Sequence, residues 1–348
     1  MKINTLLAAA LCSCIFFSCD KDIYGPDQDG QLPGQEIPEP ETPEPDWSDI
    51  VDGPVLPVNW MGHLTDRSIA NINMPGTHDS GTVYVASPTY SQTQDHTIAE
   101  QLDFGTRFFD LRINWDDKLG EFTIVHGTSQ CYTDASSSKT PLPLAMVLGW
   151  CYDFLTANPS ETIVLEMMQQ KSKISDVDVR LKENYIDQNP EAWFLENRIP
   201  SLNEVRGKIV MIHRFDLTSV NTLGIDLRTY IDLDGKENAV EFQINGTQRA
   251  WIQDSYKYSN GSEKWFNTVV GALAEASSKN NDMYINMFNA TGKILGKPRD
   301  YAAVVNGEFQ KYGLKQGRKY GWLGLDFITE ELAAKIYESN VLIVKQEE

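Results

Sequence analysis

The segment Ile69–Ser80 (IANINMPGTHDS) joins an apolar run to a polar turn that contains His78, Asp79 and Ser80. Further apolar runs with strand character recur along the chain, and most lack strict alternation, as expected of strands buried on both faces. Helical segments lie between several of these runs. The pattern predicts an α/β fold with a single, regular or irregular (β/α)8 TIM-type barrel. The predicted strands are Ile69–Met74, Arg107–Ile113, Phe122–Val125, Thr162–Met168, Lys208–Ile212, Ala250–Ile252, Met283–Met287 and Gly321–Leu325.

The N-terminus has the features of an export signal. Lys2 precedes the apolar run Leu6–Phe17, and the polar segment Asp20–Asp22 follows Cys19 directly. This pattern predicts a lipoprotein signal peptide over residues 1–18, with Cys19 lipidated. Residues 19–50 are rich in proline and acidic side chains and predict a disordered stalk, because they offer too little apolar surface to fold. We expect residues 51–348 to form one domain of an outer-membrane lipoprotein in the cell envelope, with the membrane face left open.

Composition excludes some functions. The chain of 348 residues carries a formal net charge of −19, which argues against nucleic-acid binding and against adsorption to anionic lipid through a basic patch. We expect a monomer whose membrane contact passes through the lipidated Cys19. Cys131 and Cys151 are the cysteines outside the leader. Their spacing fits neither a metal site nor a redox motif, and whether they form a disulfide stays open.

Titratable side chains recur where the predicted strands end, which in a barrel of this kind is where active sites lie. Cleavage of a phosphodiester needs a base, an acid and positive charge on the non-bridging oxygens. Two histidines suit the first two tasks, and an arginine fork suits the third. The residues in question are His78, Asp79, Asp110, Arg112, His126, Arg214, Asp254, Tyr256 and Asp326.

Several segments, in order along the chain from about Trp60, resemble the bacterial phosphatidylinositol-specific phospholipase C family. The resemblance implies a TIM-type barrel over residues 51–348. It also implies cleavage of phosphatidylinositol or a glycosyl-phosphatidylinositol. The segments that carry it are His78–Thr82, Arg107–Arg112, Ile124–Gly127, Asn158–Ile163, Arg206–Val210, Trp251–Lys257 and Tyr284–Asn286.

The resemblance assigns the acid–base chemistry to two histidines. His78, oriented by Asp326, would deprotonate the inositol 2-hydroxyl, which attacks phosphorus and yields diacylglycerol and inositol 1,2-cyclic phosphate. His126, paired with Asp79, would protonate the leaving oxygen. An alternative for Asp326 is a role as a helix cap.

The remaining roles concern phosphate and ring. Arg112 would stabilise the pentacoordinate phosphorane with help from Asp110, while Arg214, Asp254 and Tyr256 would hold the inositol ring. Arg214 and Asp254 could instead form a structural ion pair. Arg112 stands where calcium-dependent relatives have an acidic ligand, so the resemblance implies an enzyme without metal or other cofactor.

Two departures from the family pattern leave the substrate open. Met168 and Gln169 stand where the family has lysines, and Gly296–Tyr301 replaces its tyrosine-rich membrane-docking stretch. Two alternatives therefore remain. One is another barrel phosphodiesterase of the glycerophosphodiester type, and the other is a catalytically impaired surface lipoprotein that binds inositol or glycan.

Overall fold

The computed structural model describes residues 49–292 and 296–344. The predicted signal peptide, Cys19 and the stalk up to residue 48 lie outside the described residues. The described strands are β1 Asp49–Asp52, β2 Met74–Thr77, β3 Phe108–Asp116, β4 Glu121–His126, β5 Ser129–Gln130, β6 Ile163–Gln169, β7 Trp193–Phe194, β8 Ile209–His213, β9 Ile225–Asp226, β10 Val240–Gln243, β11 Arg249–Gln253, β12 Met283–Met287, β13 Trp322–Leu325 and β14 Val341–Val344.

Short and medium-length helices connect the strands. A π-helical turn, Lys182–Ile186, extends α4, and a second one, Trp265–Val269, joins α6 to α7. Within the described ranges, no helix is long and apolar enough to cross a membrane. The α-helices are α1 Pro88–Ser91, α2 Ile98–Asp103, α3 Leu144–Ala157, α4 Val177–Leu181, α5 Leu202–Val205, α6 Gly261–Lys264, α7 Val270–Glu275, α8 Pro298–Lys311 and α9 Glu330–Tyr337.

The core of the fold is a curled sheet of seven parallel strands in the order β11-β12-β13-β2-β3-β6-β8. At one end β10 pairs antiparallel with β11, and at the other β7 and β9 flank β8. Asparagine side chains bridge the two ends, since Asn197 Nδ2 donates to Ile244 O at 3.0 Å and Asn245 Nδ2 donates to Asn197 O at 2.9 Å. The predicted TIM-type barrel is confirmed in an irregular form.

One predicted barrel strand is wrong. The run Phe122–Val125 belongs to β4, which pairs antiparallel with β3 and so is a hairpin partner outside the parallel set. β3 is nine residues long and extends past the barrel, and a turn ending at Gly120 (φ 69°) reverses the chain. Thus His126 reaches the barrel mouth on a hairpin.

The first predicted strand is displaced along the sequence. Ile69–Asn71 forms a 3-10 turn, and β2 begins only at Met74. The cause is local, because the Ser68 hydroxyl accepts a hydrogen bond from Ala70 N and starts the turn. Because β2 ends at Thr77, His78 is the first residue after the strand and lies at its carboxyl end.

Alternation along the strands separates the barrel interior from its outer layer. Phe108 on β3, Val164 on β6 and Val210 on β8 belong to one buried cluster, whereas their neighbours Phe109 and Leu165 pack in a second cluster that also contains residues of α3. Side chains two residues further along each strand therefore face the interior again. By the same two-residue spacing, the polar residues at the strand ends also face the barrel interior.

Both ends of the described chain belong to the fold. β1 pairs in parallel with β14, with Asp49 opposite Val341. The first two residues of β1, Asp49 and Ile50, fall inside the predicted stalk. Cys131 and Cys151 are both buried and both free.

Candidate active site

His78 lies between two carboxylates just beyond β2. Its Nδ1 is 2.8 Å from Asp326 Oδ1, and its Nε2 is 3.1 Å from Asp79 Oδ2. Burial lowers the pKa of His78, but the two carboxylates outweigh that effect and raise the pKa to about 10. Asp326 is not a helix cap, because the N-cap of α9 is Thr329. The predicted pair of His78 and Asp326 is therefore present in the structure.

A single oxygen of Asp79 joins the two histidines. Asp79 Oδ2 is also 3.2 Å from His126 Nε2, and the two imidazole rings lie 6.2 Å apart. Asp79 has a φ of 44°, so the chain leaves the extended conformation there. This turn explains how two consecutive side chains can face one site, since in a continuing strand they would point to opposite sides of the sheet.

The backbone fixes the orientation of His126. Its Nδ1 is 2.8 Å from the carbonyl oxygen of Ser91, just before the loop leaves α1. Because a carbonyl can only accept, Nδ1 must carry a proton and Nε2 is the atom free to exchange one with a ligand. Ser91 is a contributor that no sequence motif pointed to.

Arg112 supplies the positive charge beside the histidines. Its Nη2 donates to Asp110 Oδ2 at 2.5 Å, and its Nε lies 3.5 Å from Asp79 Oδ1. Burial acts to lower the pKa of Arg112, but Asp110 and Asp79 raise it, so the guanidinium stays charged. Burial raises the pKa of Asp79, whereas His126, His78 and Arg112 together lower it, so Asp79 is a carboxylate.

Arg214, predicted to hold a ring, is already engaged by protein groups. Its Nη1 donates to Glu166 Oε1 at 2.8 Å, and its guanidinium carbon lies 3.5 Å from the centre of the Tyr230 ring. The Tyr230 hydroxyl in turn donates to Asp254 Oδ2 at 2.5 Å. Arg214 and Asp254 thus form no direct ion pair, and Tyr230 stands between them.

Sequence reasoning missed both Glu166 and Tyr230. Glu166 is the one charged residue of β6, and it falls on the interior parity set by Val164. A single charged residue at an interior position of a strand predicts a buried ion pair, because a lone buried charge needs a partner. This feature of the sequence could have identified Glu166. Tyr230 lies in a segment without periodic pattern, so only the tertiary structure shows it.

Several buried acceptor oxygens line the mouth of the barrel without a hydrogen-bond donor among residues 49–292 and 296–344. Such atoms are costly to bury unless a ligand or solvent supplies the missing donor. A ring bearing several hydroxyl groups would supply such donors. The oxygens are Asp110 Oδ1, Asp254 Oδ1, Asn289 Oδ1 and Asp326 Oδ2.

Several known proteins are similar to this chain in sequence and in fold. Residues 73–215 match the family model described as the X domain of phosphatidylinositol-specific phospholipase C. A 1-phosphatidylinositol phosphodiesterase of Staphylococcus aureus is 28% identical over 314 residues, covering 82% of this chain and 94% of the relative. A Listeria monocytogenes protein of that name is 27% identical over 310 residues, covering 84% and 88%.

Solved structures of phosphatidylinositol-specific phospholipases C are similar to this chain in fold. A phosphatidylinositol-specific phospholipase C from Staphylococcus aureus superimposes with a TM-score of 0.67 at 27% identity, covering 82% of this chain and 98% of that chain. The chain is thus similar to bacterial phosphatidylinositol-specific phospholipases C over more than four-fifths of its length. The Listeria monocytogenes phospholipase C structure, at 24% identity and a TM-score of 0.65, supports the same fold; it covers 83% of this chain and 100% of its own.

The side chains on β6 where the resemblance implies lysines are uncharged here. Met168 stands opposite Arg112 in the parallel ladder, and its sulfur is 3.3 Å from Arg112 Nη1. Gln169 instead bonds both polar groups of Ile174 and supports the loop after the strand. The side chain beside the arginine is therefore a soft, uncharged thioether.

The stretch expected to differ from the family's membrane-docking segment is tied to the protein. Arg299, in the first turn of α8, forms a two-point ion pair with Asp95 at 2.8 and 2.5 Å. The Tyr301 hydroxyl donates to Tyr258 O at 3.1 Å. In the described part of this stretch, these side chains are bound to the rim itself.

A metal ion would meet competition in this site. Ligand atoms of His78, Asp79 and Asp110 lie within 4.8 Å of one another. However, Arg112 already donates to Asp110, and both nitrogens of His78 face carboxylates that keep it protonated. A cation bound there would have to displace the guanidinium and a proton, so the donor set fits a metal poorly. Metal independence stays a prediction.

Proposed function

We propose that the protein is a phosphatidylinositol-specific phospholipase C. It would cleave phosphatidylinositol, or a glycosyl-phosphatidylinositol, by attack of the inositol 2-hydroxyl on phosphorus. The products would be diacylglycerol and inositol 1,2-cyclic phosphate. The observation that carries the proposal is the placement of one carboxylate oxygen, Asp79 Oδ2, between two imidazole nitrogens at 3.1 and 3.2 Å, with Arg112 alongside.

The proton balance of this arrangement supports a base and an acid in one site. In the free enzyme, His78 shares its Nε2 proton with Asp79. As the 2-hydroxyl approaches, the Nε2 proton of His78 passes to Asp79 Oδ2 and from there to His126 Nε2. The hydroxyl then takes the place of Asp79 at the deprotonated Nε2, and because that carboxylate is withdrawn, the pKa of His78 falls and the imidazole stays neutral until it accepts the hydroxyl proton. His78 is left as the base and His126 as the acid.

Arg112 would stabilise the negative charge on the phosphate oxygens. As the 2-hydroxyl attacks, negative charge builds on the non-bridging oxygens, and a guanidinium already fixed by Asp110 needs no rearrangement to receive it. The bond to the diacylglycerol oxygen breaks while His126 delivers its proton. Hydrolysis of the cyclic phosphate would use the same two histidines in exchanged roles.

The ring of the headgroup would be bound by the acceptor oxygens at the mouth. Asp254 Oδ1 is buried and lacks a donor within the described ranges, as a hydroxyl-binding atom would before a ligand arrives. Tyr256, two residues after Asp254, is half-buried and would offer a ring face for stacking. Arg214 would act through its remaining N–H groups.

The cellular setting belongs to the same proposal. A solved structure of the Staphylococcus aureus phosphatidylinositol-specific phospholipase C concerns modulation of the membrane binding of that enzyme. For this protein we propose a monomeric outer-membrane lipoprotein held through lipidated Cys19, with the domain carried on a stalk of residues 19–48. Mass spectrometry of the N-terminal peptide from membranes would show a diacylated cysteine, whereas an unmodified Cys19 would contradict the anchor.

The test is ³¹P NMR of the protein with phosphatidylinositol in detergent micelles and excess EDTA. We expect a cyclic-phosphate resonance, which His78→Ala and His126→Ala abolish. His63→Ala, a change at an exposed histidine, is the matched control and should leave the signal intact. Product only after added Ca²⁺ would refute the metal-free mechanism. Cleavage of glycerophosphodiesters instead, or inositol binding without turnover, would favour one of the two alternatives.

A further inference from the structure

The loop after β9 places an aromatic side chain inside the barrel mouth. Tyr230 is 2% exposed and packs against Phe242, with ring centres 5.6 Å apart. The carbonyl oxygens of Tyr230 and Ile231 accept hydrogen bonds from Arg214 Nε and Nη2 at 3.1 and 3.0 Å. The loop therefore holds Arg214 through backbone as well as through the stacked ring.

The phenol of Tyr230 also controls Asp254. Its hydroxyl donates to Asp254 Oδ2, and burial together with the Asp254 charge raises the pKa of Tyr230, so the phenol stays a donor. Asp254 Oδ1 keeps no partner among the described residues. One side chain thus fixes both of the residues proposed to hold the ring and leaves a single carboxylate oxygen for it.

The rest of the loop contacts each of the residues that come directly after β11. Gly235 N donates to Ser255 Oγ at 3.0 Å, and Lys257 N donates to Asp234 Oδ1 at 3.0 Å. The Tyr256 hydroxyl lies 3.5 Å from Asp232 Oδ2. Each residue from Asp254 to Lys257 is therefore contacted by the loop, so the loop sets the shape of this wall of the site.

We propose that Tyr230 is a positioning and specificity-determining residue for the headgroup, an inference that rests on the proposed function. Its hydroxyl orients Asp254 so that Oδ1 accepts from one ring hydroxyl. Its ring fills the space between Arg214 and Asp254, and a substituent on the hydroxyl that faces Asp254 has no room. The protein would then accept inositol headgroups that are free at that position and reject those that are substituted there.

The first test is Tyr230→Phe, which keeps the stacked ring and removes the hydroxyl. A hydrogen bond to a charged group contributes about 1.5–3 kcal/mol, or roughly 10- to 100-fold. We expect KM for phosphatidylinositol, and the inhibition constant of free myo-inositol, to rise about tenfold or more, with kcat changed less than about threefold. Tyr185→Phe is the control, because Tyr185 is also a buried tyrosine whose hydroxyl is hydrogen-bonded, to Phe122 N at 2.8 Å in the outer layer. The KM of the Tyr185→Phe variant for phosphatidylinositol should not change.

A double-mutant cycle separates positioning from a merely structural role. If Tyr230 acts through Asp254, Tyr230→Phe should have little further effect on KM in the Asp254→Asn background. Additive effects, or an unchanged KM in the single variant with a folded protein by circular dichroism, would overturn the proposal.

A second test, of specificity, compares Tyr230→Ala with the wild type on a series of phosphatidylinositol analogues, each O-methylated at one ring hydroxyl other than the 2-hydroxyl that attacks phosphorus. We expect at least one analogue to gain at least about tenfold in relative kcat/KM over the parent lipid, compared with the wild type. The absence of any gain would refute the steric role. If the wild-type protein fails to cleave phosphatidylinositol, the proposed function fails. Binding of myo-inositol to wild type and Tyr230→Phe by calorimetry then still tests the inference, and equal affinities would reject it.

Discussion

The charge pattern around His78 makes the effect of Asp326→Asn calculable. His78 Nδ1 faces Asp326 at 2.8 Å and Nε2 faces Asp79 at 3.1 Å, and these carboxylates raise the pKa of His78 to about 10 from its ordinary 6.5. The difference corresponds to roughly 5 kcal/mol of preference for the protonated imidazole. Replacing Asp326 by asparagine keeps an acceptor for Nδ1–H and removes the charge.

The expected shift follows from the distance. A buried opposite charge at hydrogen-bond range changes a pKa by about 1–3 units, so Asp326→Asn should lower the pKa of His78 to about 7–9. The assay is imidazole ¹H–¹⁵N NMR over pH 5 to 11. Asp226→Asn is the matched control, because Asp226 lies near a different buried histidine, His213. A wild-type His78 that titrates near 6.5, or the same pKa in wild type and Asp326→Asn, would refute the reasoning.

The same shift has a consequence for stability. Because the folded-state pKa of His78 is raised, its contribution is fully present below pH 6.5 and is lost as the pH rises through about 10. Asp326→Asn should therefore destabilise the protein near pH 6 and do so much less near pH 10, where the wild type keeps an uncompensated buried carboxylate. Urea unfolding at the two pH values measures the difference. A destabilisation independent of pH would contradict the coupling.

Three further outcomes follow from the contacts. Glu161→Gln should lower the free energy of unfolding by about 3–5 kcal/mol in urea titrations, because Arg107 and Glu161 form an ion pair with no exposed surface; a loss below 1 kcal/mol would contradict it. Arg112→Lys should reduce kcat about 10²–10³-fold with a smaller change in KM, since a lysine cannot reproduce the fixed fork, and an unchanged kcat would exclude the phosphorane role. Gly224→Ala should destabilise by more than about 2 kcal/mol by thermal unfolding, because its φ is +91° and a Cβ would lie 2.1 Å from Met211 O; wild-type stability would show that the loop relaxes.

Much of the site was accessible from sequence because its residues follow strands. His78, Arg112, Arg214, Asp254 and Asp326 all occupy interior parity at the end of a parallel strand, and parallel strands bring their carboxyl ends to one edge. Sequence order and residue type are sufficient for that argument, since each position depends only on its own strand. The resemblance to a family then supplied roles, which remain proposals.

The position of His126 could not be predicted in the same way, because His126 ends an antiparallel hairpin strand and not a parallel strand of the barrel. Phe122–Val125 has the composition of a barrel strand, and nothing local distinguishes a parallel crossover from an antiparallel return. The difference comes from the length of β3 and the turn at Gly120, which pair Ile113 with Ile124. His126 reached the site all the same, through a connection that composition alone does not specify.

The sequence by itself determined the barrel class, the strand-end histidines and the carboxylates available to them, because apolar runs and the residue types that follow each run are local properties. Tertiary structure alone determined which charges meet. The partner of Arg214 is Glu166 on a neighbouring strand, and that of Asp254 is Tyr230 from a loop without pattern. Electrostatic energies in a buried site depend on distances of a few ångströms between residues remote in sequence, and only the folded chain sets those distances.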